Sequence, residues 1–241
     1  MNKITFIALL LTSLIIVSCD SKRMVASPFP DNNVQKKDVF NPSKKALNFY
    51  YNKLFDSVFE RYDLNKDLKI TLSEYASFYN SSSDFNKIDK NQDKILIKDE
   101  ASFNKELFVG FTIDESKSYY IKMSQRIFDE SDKNKDGFLT RNECLDFYGT
   151  DKYIEKLFKD FDKDKNNKIN FSENLEYNFY YYELFVKFDE NDDSLININE
   201  FYKGVLDKNK SSIFTKFDKN KDNKLNDTEF NEYYNYIKIN S

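Results

Sequence analysis

One twelve-residue pattern, Asp-x-Asn/Asp-x-Asp/Asn closed by Glu at its last position, begins at Asp63, Asp89, Asp132, Asp162, Asp189 and Asp218. Chance supplies about 0.1 such matches in a chain this rich in Asp and Asn, so the six copies are repeats of one structural unit. The eighth position is always aliphatic (Ile70, Leu96, Leu139, Ile169, Ile196, Leu225), as required where two loops pair through a short antiparallel β contact. Aromatic residues precede the loops at helical spacing: Phe59 and Tyr62, Phe85, Phe128, Phe158 and Phe161, Phe185 and Phe188, Phe214 and Phe217. Helices that bury these rings on either side of polar loops predict an all-α chain.

The spacing has a chemical reason. A hard divalent cation such as calcium takes six to eight oxygen ligands, and a tight loop presents side chains from its first, third and fifth positions and a backbone carbonyl from its seventh. Glu at the twelfth, already on the next helix, closes the shell with both oxygens. The candidate ligands are Asp63, Asn65, Asp67, Lys69 and Glu74; Asp89, Asn91, Asp93, Ile95 and Glu100; and Asp132, Asn134, Asp136, Phe138 and Glu143. The later loops offer Asp162, Asp164, Asn166, Lys168 and Glu173; Asp189, Asn191, Asp193, Leu195 and Glu200; and Asp218, Asn220, Asp222, Lys224 and Glu229. Lys69, Ile95, Phe138, Lys168, Leu195 and Lys224 would contribute only their carbonyls. Each loop sets three acids and one Asn against the ion's two positive charges.

From Ser43 onward the chain resembles the EF-hand superfamily, which implies helix-loop-helix repeats, loops paired in sequence order and Ca2+ as the bound ion. It departs from that pattern at position six, where only the third loop has Gly (Gly137) and the others have Leu68, Lys94, Asn167, Ser194 and Asn223. A positive φ there costs Leu, Lys or Ser about 1 kcal/mol, and Ile97 leaves the second loop without a polar side chain at position nine. Lysines occupy non-ligand positions of every loop but the fifth, which has Glu190 and Asp192. The third and fifth loops are therefore expected to bind most tightly, and the first most weakly.

The stretch from Glu100 to Asp132 is longer than the other intervals and contains Phe108-Val109-Gly110-Phe111, followed by a capping box, Thr112 to Glu115. Two lobes are expected: residues 43–108 with two hands and residues 112–241 with four. Where the intervals are short, one helix can serve two loops. The aromatic stretch Tyr177 to Phe185 falls on the link between the fourth and fifth loops, where such residues fill the core.

Residues 1–18 read as a signal peptide: Lys3, an apolar run Ile4–Val17 broken by Thr12 and Ser13, then Ser18. Ile16-Val17-Ser18-Cys19 resembles the bacterial lipobox, which implies acylation at Cys19 and a membrane anchor, with residues 19–42 as a flexible tether. Plain cleavage nearby, using Val17 and Cys19 as small residues, is the alternative. Asp20 after the Cys resembles an inner-membrane retention signal of some enterobacterial lipoproteins. After cleavage Cys144 is the one thiol left, expected as a small apolar core residue.

His is absent, which excludes Ser-His-Asp relays, HExxH zinc sites and histidine pH switches. No catalytic constellation is present, so an enzyme is not expected. Lysines are dispersed among acids, which argues against nucleic acid as a partner. Met occurs only at Met1, Met24 and Met123, too few for the Met-rich groove of a calmodulin-type sensor, so a buffer or a calcium-stabilised surface or adhesion protein is expected. Six hands behind a signal peptide also resemble the reticulocalbin and calumenin family. The Ile239-Asn240-Ser241 terminus lacks that family's HDEL-like signal, and the loops here are more closely spaced.

Overall fold

A computed structural model describes residues 40–78, 82–148 and 151–240; Cys19, the signal peptide and nearly all of the tether lie outside the described residues. Helix α1 (Lys44–Tyr62) leads through the first loop and strand β1 (Lys69–Thr71) to α2 (Leu72–Ala76). The second loop lies between α3 (Ser82–Ile88) and α4 (Lys98–Phe103), with β2 (Ile95–Ile97) inside it. After α5 (Lys105–Val109), which ends at Gly110 with φ 90°, come α6 (Ile113–Ser131), β3 (Phe138–Leu139) and α7 (Arg141–Tyr148). The fourth loop runs from α8 (Asp151–Phe161) through β4 (Ile169–Asn170) into α9 (Phe171–Phe188). The fifth and sixth use β5 (Ile196–Asn197), α10 (Ile198–Gly204), α11 (Lys210–Phe217), β6 (Lys224–Leu225) and α12 (Asp227–Asn240). Among the described residues the fold is all-α apart from these strand pairs, as expected. Among the described residues no helix is long and apolar enough to cross a membrane.

The loops pair in sequence order: β1 with β2, β3 with β4 and β5 with β6, all antiparallel. Register sets the position-eight residues opposite one another, Ile70 against Leu96, Leu139 against Ile169 and Ile196 against Leu225, and all six are fully buried. Side chains on a strand alternate between faces, so burying position eight turns positions seven and nine outward, which fixes the pleat of every loop.

Tyr50–Met123 form one compact unit; the stretch ending at Phe49 and the chain from Ser124 onward form another. In the first unit, fully buried Phe108 is the hub of a ring cluster, with centroids 5.4 Å from Phe55, 6.0 Å from Phe59, 5.3 Å from Tyr62 and 6.4 Å from Tyr75. The pairs with Phe55 and Tyr62 are edge-to-face, and aromatic pairs of that kind add about 0.5–1.5 kcal/mol each beyond the area they bury. The capping box forms at the start of α6: Glu115 Oε2 accepts from Thr112 N at 2.7 Å and Oγ1 at 3.0 Å, and Thr112 Oγ1 accepts from Glu115 N at 3.2 Å.

In the second unit α9 is one 18-residue helix that leaves the fourth loop and enters the fifth. It buries Leu175, Tyr177, Phe179, Leu184, Phe185 and Phe188, whereas Tyr180 stays 41% exposed. Phe185 stacks on Phe49 at 4.1 Å and meets Phe230 edge-on at 5.1 Å. The aromatic run of α9 thus fills the core except at Tyr180. Of the loop-flanking aromatics all are buried except Phe161, which is partly exposed beside Tyr177 and Tyr180. Ser43 donates from N and Oγ to Glu183 at 2.6 and 2.8 Å, and Phe40 packs edge-on against Phe179. Cys144 is free and fully buried, and burial, followed by the charge of Glu143, pushes its thiol up to about 12. It is an inert core residue.

A Cβ at Gly204 would lie 2.5 Å from the buried ring of Phe188. Gly204→Ala is therefore expected to destabilise the protein by about 1–3 kcal/mol through overpacking. Urea denaturation checks this, and an unchanged midpoint would show that the ring yields freely.

Lys238 of α12 places its Nζ over three tyrosine rings, 4.2 Å from the centroid of Tyr177, 4.6 Å from Tyr234 and 5.6 Å from Tyr153. Burial, reinforced by Lys156, pushes the ammonium down to about 7, while the ring faces favour the charged form. A lysine depressed in the fold binds fewer protons there than in the unfolded chain, so stability rises as pH climbs above 7. The expected gain between pH 7 and 9 is about 2 kcal/mol, and Lys238→Met should flatten it. Thermal melts across that range in both proteins measure the difference.

Candidate metal centre

The loops share one hydrogen-bond plan, written by the short side chains at positions one, three and five. Position-one Oδ2 accepts the backbone N–H of position six in every loop: Leu68 at 2.9 Å, Lys94 at 3.0, Gly137 at 2.8, Asn167 at 2.9, Ser194 at 3.1 and Asn223 at 3.1. Position-three Oδ1 accepts from position five, and position-five Oδ1 from position seven, throughout. Carboxylate and amide oxygens at these offsets curl the backbone around one centre. The required left-handed residues lie at position six, with φ from 59° at Asn167 to 83° at Gly137, and also at position four, where Lys66, Gln92, Lys135, Lys165, Asp192 and Lys221 have φ of 56–64°. The sequence showed the first set of positions and missed the second.

Position-twelve Glu closes five loops from behind. Oε1 of Glu74, Glu143, Glu200 and Glu229 accepts from the backbone at positions two and three, and that of Glu173 from Lys163 N at 2.8 Å. Their Oε2 atoms accept from position-nine N at 2.8–3.0 Å. Thr71, Thr140, Asn170, Asn197 and Asn226 return a bond to the Glu N–H and cap the exiting helices. These capping residues were overlooked in the sequence, although Ser/Thr/Asn three residues before Glu is a known signal. The same bonds, with Thr71 and Thr140 as principal donors, hold the Glu74 and Glu143 carboxyls below the usual range, against the opposing effect of desolvation.

The second loop departs from this plan. Glu100 reaches only Ile97 N, at 3.4 Å, its side chain is not fully buried, and Ile97 has no side chain that can cap. Asp89 Oδ1 is buried with no hydrogen-bond partner. This is the geometric counterpart of the weakness expected from Ile97.

The donor set fits a hard cation: oxygen only, carboxylate-rich and convergent. In the fourth loop the carboxylates of Asp162, Asp164 and Glu173 have oxygens within 4.8 Å of one another. That arrangement was not found in the other loops, where Asn at position three supplies an amide oxygen in place of a charge. The orphaned Asp89 oxygen is a buried acceptor that a cation would satisfy. Calcium in these loops would be held by the side chains at positions one, three, five and twelve, with the carbonyl of position seven.

Lysines from outside a loop also reach its acids. Lys168 Nζ lies 2.8 Å from Asp136 Oδ2, Lys224 Nζ 3.5 Å from Asp193 Oδ2 and Lys45 Nζ 2.9 Å from Asp192 Oδ1, and Lys45 also donates to the carbonyl of Asp189. The hydrogen bond from Lys168 holds Asp136 below its ordinary range. Burial pushes Asp189 up, opposed by the hydrogen bond from Ser194 N. The fifth loop lacks lysine in sequence and still has two lysines against it in space.

A model of an EF-hand domain pair matches residues 121–177, and a model of a single EF hand matches residues 210–232. Among curated proteins no match was found. Among solved structures, a homologue of programmed cell death 6 protein from Leishmania major Friedlin is 16% identical, with 64% of this chain and 87% of that one covered and a TM-score of 0.27. The two family-model matches fall on the third, fourth and sixth loops, which have the closed geometry described above, and residues 121–177 and 210–232 are there similar to EF hands.

Proposed function

We propose that this chain binds calcium in all six loops and serves as an exported, lipid-anchored calcium buffer or calcium-stabilised protein at a cell-envelope surface. The observation that carries the calcium reading is the Glu at position twelve, which in five loops spans from the loop's first backbone N–H groups to the cap of the exiting helix. A bidentate ligand in that place draws helix and loop together around the ion. Buffering or stiffening is favoured over switching because no Met-rich face is available to be uncovered. The anchor rests on the resemblance of Ile16-Val17-Ser18-Cys19 to a lipobox.

Equilibrium dialysis of the purified chain at millimolar calcium tests the first part, with bound ion expected and its absence fatal. Mass spectrometry of the mature N-terminus tests the second, where an acylated Cys19 is expected and an intact or plainly cleaved terminus would refute the anchor. Strong new binding of an apolar dye on adding calcium would favour a sensor instead.

A further inference from the structure

Within the two later loop pairs, position seven of the second loop is a lysine whose ammonium crosses to the position-five Asp of the first loop. Lys168 meets Asp136 at 2.8 Å, and Lys224 meets Asp193 at 3.5 Å. Pleat and register account for the crossing: position eight is buried between the strands, so position seven faces outward beside the partner loop. Lys168 also lies over the ring of Phe138, 5.2 Å from its centroid, and Phe138 is position seven of the third loop. In the first pair the equivalent residue is Ile95, which has no charge to offer.

We propose that Lys168 and Lys224 are tethered counterions that compete with calcium for the third and fifth loops, setting a lower and salt-sensitive affinity there. The proposal rests on the calcium reading above. Asp136 and Asp193 each have one oxygen committed to a backbone N–H, of Phe138 and of Leu195, and the other facing the lysine. An arriving cation meets a carboxylate already partly neutralised and repels the ammonium beside it. The same two lysines stand at position seven of the fourth and sixth loops, where their carbonyls would be ligands, so each residue would bear on both sites of its pair.

The test is calcium titration of the full chain and its Lys168→Met and Lys224→Met variants at low and high salt, read by calorimetry and by the backbone amide signals of Gly137 and Ser194. Gly137 N–H and Ser194 N–H bond to the position-one ligands of the third and fifth loops, so each reports its own site. At low salt each variant should bind about twofold to fivefold more tightly at the reported loop, the range of exposed ion pairs. The gain should shrink at high salt, where the Debye length falls to a few ångströms. Lys135→Met, which removes a loop charge that makes no such bridge, is the control for net charge. Unchanged or weaker binding in Lys168→Met, an equal gain in Lys135→Met, or a gain that survives high salt would overturn the proposal. Absence of any bound calcium in the unmodified chain would instead sink the calcium reading itself.

Discussion

Replacing Glu143, Glu173, Glu200 or Glu229 by Gln is expected to weaken calcium binding at the affected loop on the order of a hundredfold, because the bidentate ligand and one of three negative charges go together. A second effect appears without metal. Both oxygens of each Glu accept backbone N–H groups, and a Gln must turn an NH2 toward one of those donors. That leaves a buried donor unmatched at about 1–3 kcal/mol. Glu100→Gln should be the mildest of the set on both counts, since Glu100 holds only Ile97 N at 3.4 Å. Calorimetric titration measures the first effect and thermal melts in chelator the second. A Glu100→Gln loss as large as that of Glu143→Gln would show that the open geometry of the second loop does not persist when the ion binds.

Phe108→Ala should destabilise the first unit by about 3–5 kcal/mol, the cost of removing a fully buried phenyl ring and leaving its cavity. Four aromatic neighbours, Phe55, Phe59, Tyr62 and Tyr75, lose their common partner. Rigid rings cannot collapse into the space, which places the cost toward the upper end. Chemical denaturation followed by circular dichroism gives the number, and a loss below about 1 kcal/mol would mean that the cluster repacks.

Much of this arrangement was legible beforehand. Aliphatic residues at position eight announced the strand pairs, and the register confirms them residue against residue. The capping box at Thr112 opened α6 where expected, and Tyr177, Phe179 and Phe185 of the aromatic run went into the core while Tyr180 stayed exposed. Such features depend on neighbours a few residues away, where chain geometry leaves little choice. The position-four residues with positive φ were not legible, because Lys and Gln carry no conformational signal of their own. The weakness of the second loop was legible in Ile97, whereas the unpartnered Oδ1 of Asp89 was not, since Asp89 is the same residue at the same offset as its five counterparts.

From the residues alone came the offsets of the candidate ligands, the pairing of loops and the aromatic core, since each follows from periodicity and from the oxygen chemistry of Asp, Asn and Glu. Which charges actually face each loop was decided only in three dimensions. The fifth loop has no lysine of its own, and folding brings Lys45 and Lys224 to it from distant points in the chain. Coulomb forces act through space without regard to sequence separation, so a count of charges along the chain could not foresee that.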